Sequence, residues 1–166
     1  MAETPADPAT EADSIADTDA ANEPRIGIEH QYIKDLSFEN PLGPASANAI
    51  QNNPQVSVEV RTSARSIAEG HYEVCLMIHG RATMGDSTVF IVELTYGAVV
   101  GLVNVPDEAV QPILLIEAAR MLFPFARNIV ADVTRDGGFP PLFLQPIDFM
   151  QLYREQHAPD DGNGAD

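Results

Sequence analysis

Residues 32–41, Tyr32-Ile33-Lys34-Asp35-Leu36-Ser37-Phe38-Glu39-Asn40-Pro41, decide the fold. A strand rises about 3.3 Å per residue and sends successive side chains to opposite faces. In plain alternation Tyr32, Leu36 and Phe38 share one face with Lys34, whose stem can lie along apolar surface. Ile33, Asp35, Ser37 and Glu39 then take the other face. Asp35 and Glu39 stand roughly 13 Å apart on it. Paired glycosidase carboxylates lie at most about 9.5 Å apart, so this spacing does not suit that chemistry. It suits an acidic docking stripe, or an ordinary edge strand with solvated charges, and spacing alone favours the plain strand.

Downstream of a Pro- and Asn-punctuated crossover (Pro41, Pro44, Asn52, Asn53, Pro54), three more strands are expected. Val56, Val58, Val60 and Thr62 alternate with Ser57, Glu59, Arg61 and Ser63, the pattern of a half-buried strand. Tyr72, Val74, Leu76 and Ile78 alternate with Glu73, Cys75, Met77 and His79. The turn Met84-Gly85-Asp86-Ser87 leads into Val89 to Val100, which is apolar on both faces, as a strand covered on both sides is. In so small a domain a second subunit could supply one cover. After Pro106 the apolar period becomes helical, from Ile113 to Val133. Asp107 and Glu108 suit its start, and Gly137-Gly138 its end. Pro112 and Pro124 predict kinks or two segments rather than one unbroken helix. Asp148 is placed to cap a final helix from Phe149 to about Gln156. Sheet first and helices afterwards is an α+β arrangement: a four-stranded antiparallel sheet with a long crossover and C-terminal helices packed on it.

A chain of 166 residues supports one domain, and 45% apolar content supports a real core. Residues 1–26 are Ala-, Pro- and acid-rich, and residues 157–166 are acidic with glycine. Both read as disordered tails around a domain at 27–156. Net charge is −16, which argues against nucleic acid and anionic membranes and favours cationic partners. Lys34 is the single lysine and Cys75 the single cysteine, so an internal disulfide is impossible. The N-terminus lacks the basic start and apolar run of a signal peptide. No stretch approaches the roughly 18 apolar residues of a membrane span, so a soluble, cytoplasmic protein is expected.

Cys75 and His79 share a strand face but lie roughly 13 Å apart, beyond hydrogen-bond reach, and an inert buried Cys75 is the simpler reading. His71, Glu73 and His79 also share a face, although alternate strand positions without a helical His pair make a weak metal pattern. Gly137-Gly138 lacks the dinucleotide-site glycine pattern. No catalytic constellation, metal or cofactor is expected.

The opening stretch resembles the Y-x-K-D-x-S-F-E-x-P motif of the SecB protein-export chaperones. Leu122-Phe123-Pro124-Phe125-Ala126-Arg127 is similar to the family's L-F-P-Y-A-R, with Phe125 in place of tyrosine. Residues 137–149 are similar to its G-x-F-P-x-L-x-L-x-P-[IV]-[DN]-F. Phe90-Ile91-Val92-Glu93-Leu94 resembles its partner-contact strand. The resemblance implies a homotetramer, a dimer of dimers, that keeps unfolded preproteins competent for translocation and delivers them to the SecA motor ATPase. It places Asp35, Glu39, Ile91 and Glu93 on a face that docks a basic, zinc-containing tail of SecA; the zinc belongs to that partner. It also implies a peptide groove drawn from Phe38, Phe139, Leu142, Phe143, Leu144, Ile147, Phe149 and Leu152, of which several must be core. Val92, Leu94 and Tyr96 match subunit-interface positions. The alternatives are a general holdase without an export role, and a small-molecule-binding or enzymatic α+β domain using Cys75 and a histidine.

Overall fold

The computed structural model describes residues 22–157, so the two acidic tails expected from the sequence lie almost wholly outside the described residues. Their inner boundaries shift. Arg25 and Ile26 already belong to β1, Arg25–Glu39, and His157 closes the last helix. β1 therefore begins about five residues before the expected start near residue 30, and its apolar Ile26 and Ile28 pack against the core.

The other strands are β2 (Gln55–Ala68), β3 (His71–Met84) and β4 (Ser87–Val103). They form one antiparallel sheet in the order β1-β4-β3-β2. β1 and β4 pair across the whole chain because the crossover, carrying the short helix α1 (Ser46–Gln51), takes residue 55 to the far edge. Gly70 (φ +68°) and Gly85 (φ +57°) occupy the two hairpin turns, where a left-handed backbone favours glycine.

Asp107–Asp136 is one continuous helix, α2, and not two segments. Pro112 has no N–H to donate, and the chain passes directly from it into a π-helical stretch, Ile113–Ala118, before α-helix resumes at Ala119–Asp136. By length and composition this helix could cross a membrane, contrary to the sequence expectation. Here its Leu114, Ile116, Leu122, Ala126 and Val130 are buried in the core. Helix α3 (Phe149–His157) starts as expected: the Asp148 carboxylate accepts from the Gln151 N–H at 3.0 Å.

One sheet face carries Val74, Leu76, Ile78 and Ala82 of β3 with Val92, Leu94, Tyr96, Ala98 and Val100 of β4, all buried in the same cluster as the α2 residues. Each such Val or Leu contributes about 1.5–3 kcal/mol by leaving water. Directly paired residues share a face, so the opposite, outer face follows from the register. It carries Glu73, Cys75, Met77, His79 and Arg81 of β3 beside Ile91, Glu93, Thr95 and Gly97 of β4.

Candidate functional site

The register of β1 on β4 shifts between Ile33 and Asp35. Tyr32 pairs with Gly97 and Ile33 with Tyr96; then Asp35 pairs with Thr95 and Leu36 with Leu94. Such a bulge inserts one residue and inverts the alternation. Tyr32 and Lys34 therefore share the outer face with Asp35, Ser37 and Glu39, and Ile33 moves to the helix side with Leu36 and Phe38. Plain alternation assigned Tyr32, Lys34 and Ile33 to the wrong faces.

The four proposed docking residues meet on that outer face. Glu39 pairs with Ile91 and Ser37 with Glu93, while Asp35 is one pair further along. Asp35, Glu39 and Glu93 are exposed. The Glu93 carboxylate lies 2.9 Å from His79 Nδ1 and accepts a longer bond, 3.4 Å, from the Ser37 hydroxyl. Sequence reasoning did not find His79 as a partner of Glu93; their direct cross-strand pairing is the signal that exposes it.

Upstream on the same face, Glu73 gathers three strands. The Tyr32 hydroxyl donates to it at 2.5 Å, Lys34 Nζ lies 3.0 Å from both its oxygens, and Arg65 Nε donates at 2.6 Å. Its side chain is only 8% exposed. Burial pushes its pKa up, but bonds from Tyr32, Lys34 and Arg65, in that order, hold it down to about 2. Burial first, then the bond to Glu73, pushes the Tyr32 phenol up to about 12. The Tyr32 ring lies across Gly97, where a Cβ would stand 2.8 Å from it. His71 turns instead to Glu29 and to the Glu69 carbonyl, so His71, Glu73 and His79 do not converge. Cys75 is buried, and burial raises its thiol pKa.

The apolar segment after α2 runs along the helix side of β2. Two hollows of about 250 and 410 Å³ share Val56 and Leu142 as walls and so form one groove. Phe139, Leu142, Phe143, Leu144 and Ile147, five of the eight residues named for a peptide groove, line it. Val56, Val58, Val60, Ile50 and Pro54 also line it, although alternation had assigned those valines to an ordinary half-buried strand. Phe143 is 61% exposed, and its ring centroid lies 5.9 Å from the Arg127 guanidinium carbon. Three expected groove residues do not line these hollows. Phe149 is buried in the core edge-on to Phe123, Leu152 packs on the core from α3, and Phe38 packs against Phe90 and Phe139.

Val92 and Leu94, expected at a subunit interface, are enclosed by the chain's own core at 0% and 2% exposure. α2 covers this strand face from within the chain, which leaves a second subunit only the outer face and the sheet edges to cover. Tyr96 is also buried, its hydroxyl 3.2 Å from Gln31 Oε1. Exposed hydrophobics outside the groove include Ile33 and Leu36 of edge strand β1 and Met121 and Phe125 of α2, besides Ile67, Val103 and Met150. Tyr96, the register partner of Ile33, and Phe125 wall one shallow hollow.

An open acidic sheet face, with an apolar groove on the side of the sheet that the helices cover, defines a polypeptide-binding α+β protein. The family described as "Preprotein translocase subunit SecB" matches residues 19–160. A protein-export protein SecB from a Bradyrhizobium strain is 50% identical over 140 residues, 84% of this chain and 86% of its own length. One from Azorhizobium caulinodans is 49% identical over 133 residues, 80% and 83% of the two chains. The chain belongs to the SecB family and acts as a chaperone in preprotein export. A solved SecB-like chaperone of Mycobacterium tuberculosis, in complex with an antitoxin peptide, shares the fold. Its TM-score is 0.61 at 16% identity, over 74% of this chain and 91% of that one.

Proposed function

We propose that this chaperone holds non-native preproteins in the groove between β2 and residues 139–147, and hands them to SecA by docking through Asp35, Glu39, Ile91 and Glu93. It works in the cytoplasm as a dimer of dimers and performs no reaction of its own. One observation carries the docking half. The β1 bulge leaves Asp35 and Glu39 on the same open face as Ile91 and Glu93, so charge and apolar contact are offered together. Such a face contributes specificity and association rate to a basic partner, and its effect falls with salt. The groove offers Phe and Leu side chains on a Pro-rich loop, which suits extended segments of varied sequence. The exposed Ile33, Leu36, Met121 and Phe125 support assembly.

Light-scattering mass in line with gel filtration, with and without a precursor diluted from urea, tests holding and assembly. A mass near four times 17.9 kDa that rises by one client chain supports the proposal; a monomer that ignores the client refutes it. Asp35→Lys and Glu93→Lys should each lose SecA binding and keep client binding. Unchanged SecA binding in both removes the docking assignment.

A further inference from the structure

Glu73 is a nearly enclosed carboxylate for which the docking reading has no use, yet it lies on the docking face. The bulge sets Lys34 and Asp35, consecutive and opposite in charge, on that same face. Arg65 reaches it from β2. Left free, Lys34 and Arg65 would repel a cationic partner and offer competing ion pairs to the exposed carboxylates. Glu73 engages both: its two oxygens lie 3.0 Å from Lys34 Nζ, and one accepts from Arg65. Burial alone would favour a neutral acid, but the donors keep this one ionised, with its pKa held down to about 2.

We propose that Glu73 is a counter-charge set upstream on the acidic face, pinning the part-exposed Lys34 and Arg65 and offsetting one of their two positive charges, so that they oppose Asp35, and with it the docking face, less toward a cationic partner. Arg81, bonded to the Thr88 hydroxyl, stays on that face. Glu73 touches no partner. It is a positioning residue that acts through Lys34 and Arg65, and the inference rests on the docking reading.

A charge cycle on the full-length protein tests it, with a ten-residue lysine peptide as probe and SecA as second ligand. Glu73→Gln releases two cations and should slow association about two- to threefold at low salt, the effect vanishing near 0.5 M salt. Adding Lys34→Met to Glu73→Gln should restore the wild-type rate, because one uncovered cation is gone. A merely structural Glu73 predicts no rescue. Wild-type rates for Glu73→Gln, or a double variant as slow as the single, overturn the proposal. Asp35→Lys in parallel separates the two failures. If it abolishes probe binding while Glu73→Gln does not, the counter-charge alone fails. If it changes nothing, the docking reading falls and the counter-charge falls with it. Should Glu73→Gln not fold, Lys34→Met/Arg65→Gln/Glu73→Gln leaves no buried ion unpaired and serves instead. Association at or above the wild-type rate supports masking; slower association overturns it.

Discussion

Replacing Thr134 by valine isolates what ties the groove wall to its supporting helix. Thr134 is fully buried near the end of α2. Its hydroxyl donates back to the Val130 carbonyl at 2.9 Å, with the Ala131 carbonyl at 3.0 Å, and accepts from the Leu142 N–H at 2.9 Å. Valine keeps the shape and removes the acceptor. The carbonyls are held within the helix, so the main cost falls on the half-buried Leu142 N–H, about 1–3 kcal/mol for an orphaned donor. The added apolar burial returns up to about 1 kcal/mol. A net loss of about 1–2 kcal/mol is expected from urea midpoints at one protein concentration. Thr134→Ser gives a similar loss for a different reason, a deleted methyl worth about 1 kcal/mol. Amide exchange separates the two. Leu142 should lose protection in the valine variant and keep it in the serine variant. Leu142 walls both hollows, so its release also loosens the groove. Valine at wild-type stability, with Leu142 still protected, would refute this reasoning.

Glu73 also governs acid stability. Its folded pKa, about 2, lies below the ordinary 4.5, so the stability it contributes is fully present above about pH 4.5 and lost as pH falls toward 2. That amounts to at most on the order of 3 kcal/mol. Glu73→Gln should therefore flatten stability against pH between those values, and an unchanged acid limb in urea titrations refutes the linkage. Gly137 follows α2 with φ −72°, a conformation alanine adopts freely, and relief of unfolded-chain entropy alone would make Gly137→Ala stabilising by about 0.4–1 kcal/mol. Its Cβ would instead overlap the Phe38 ring, so a loss of about 1–3 kcal/mol is expected. The thermal midpoint should drop by several degrees, and a rise contradicts the close approach.

The order of strands and helices was legible because burial imposes a period of two on β2, β3 and β4 and a helical period on residues 113–133. The β1 bulge was not. No glycine or proline marks it, and Glu73, which holds Lys34 on the outer face, lies 39 residues away in sequence. A residue whose face is set by a distant partner leaves no local pattern, so Asp35 and Glu39 were placed on their shared face while Tyr32 and Lys34 were not. Val92, Leu94 and Tyr96 raise a related ambiguity, because an apolar strand face announces that it is covered without saying by what. Length resolves it. The helix Asp107–Asp136 spans about 45 Å at about 1.5 Å per residue. The 17 residues of β4 run about 56 Å at about 3.3 Å each. One such helix, with α3 and the 139–147 segment beside it, roofs most of the sheet from within the chain. The proposed assembly is then left the surfaces this roof turns outward, among them Met121 and Phe125 on α2, with Ile33 and Leu36 along the β1 edge.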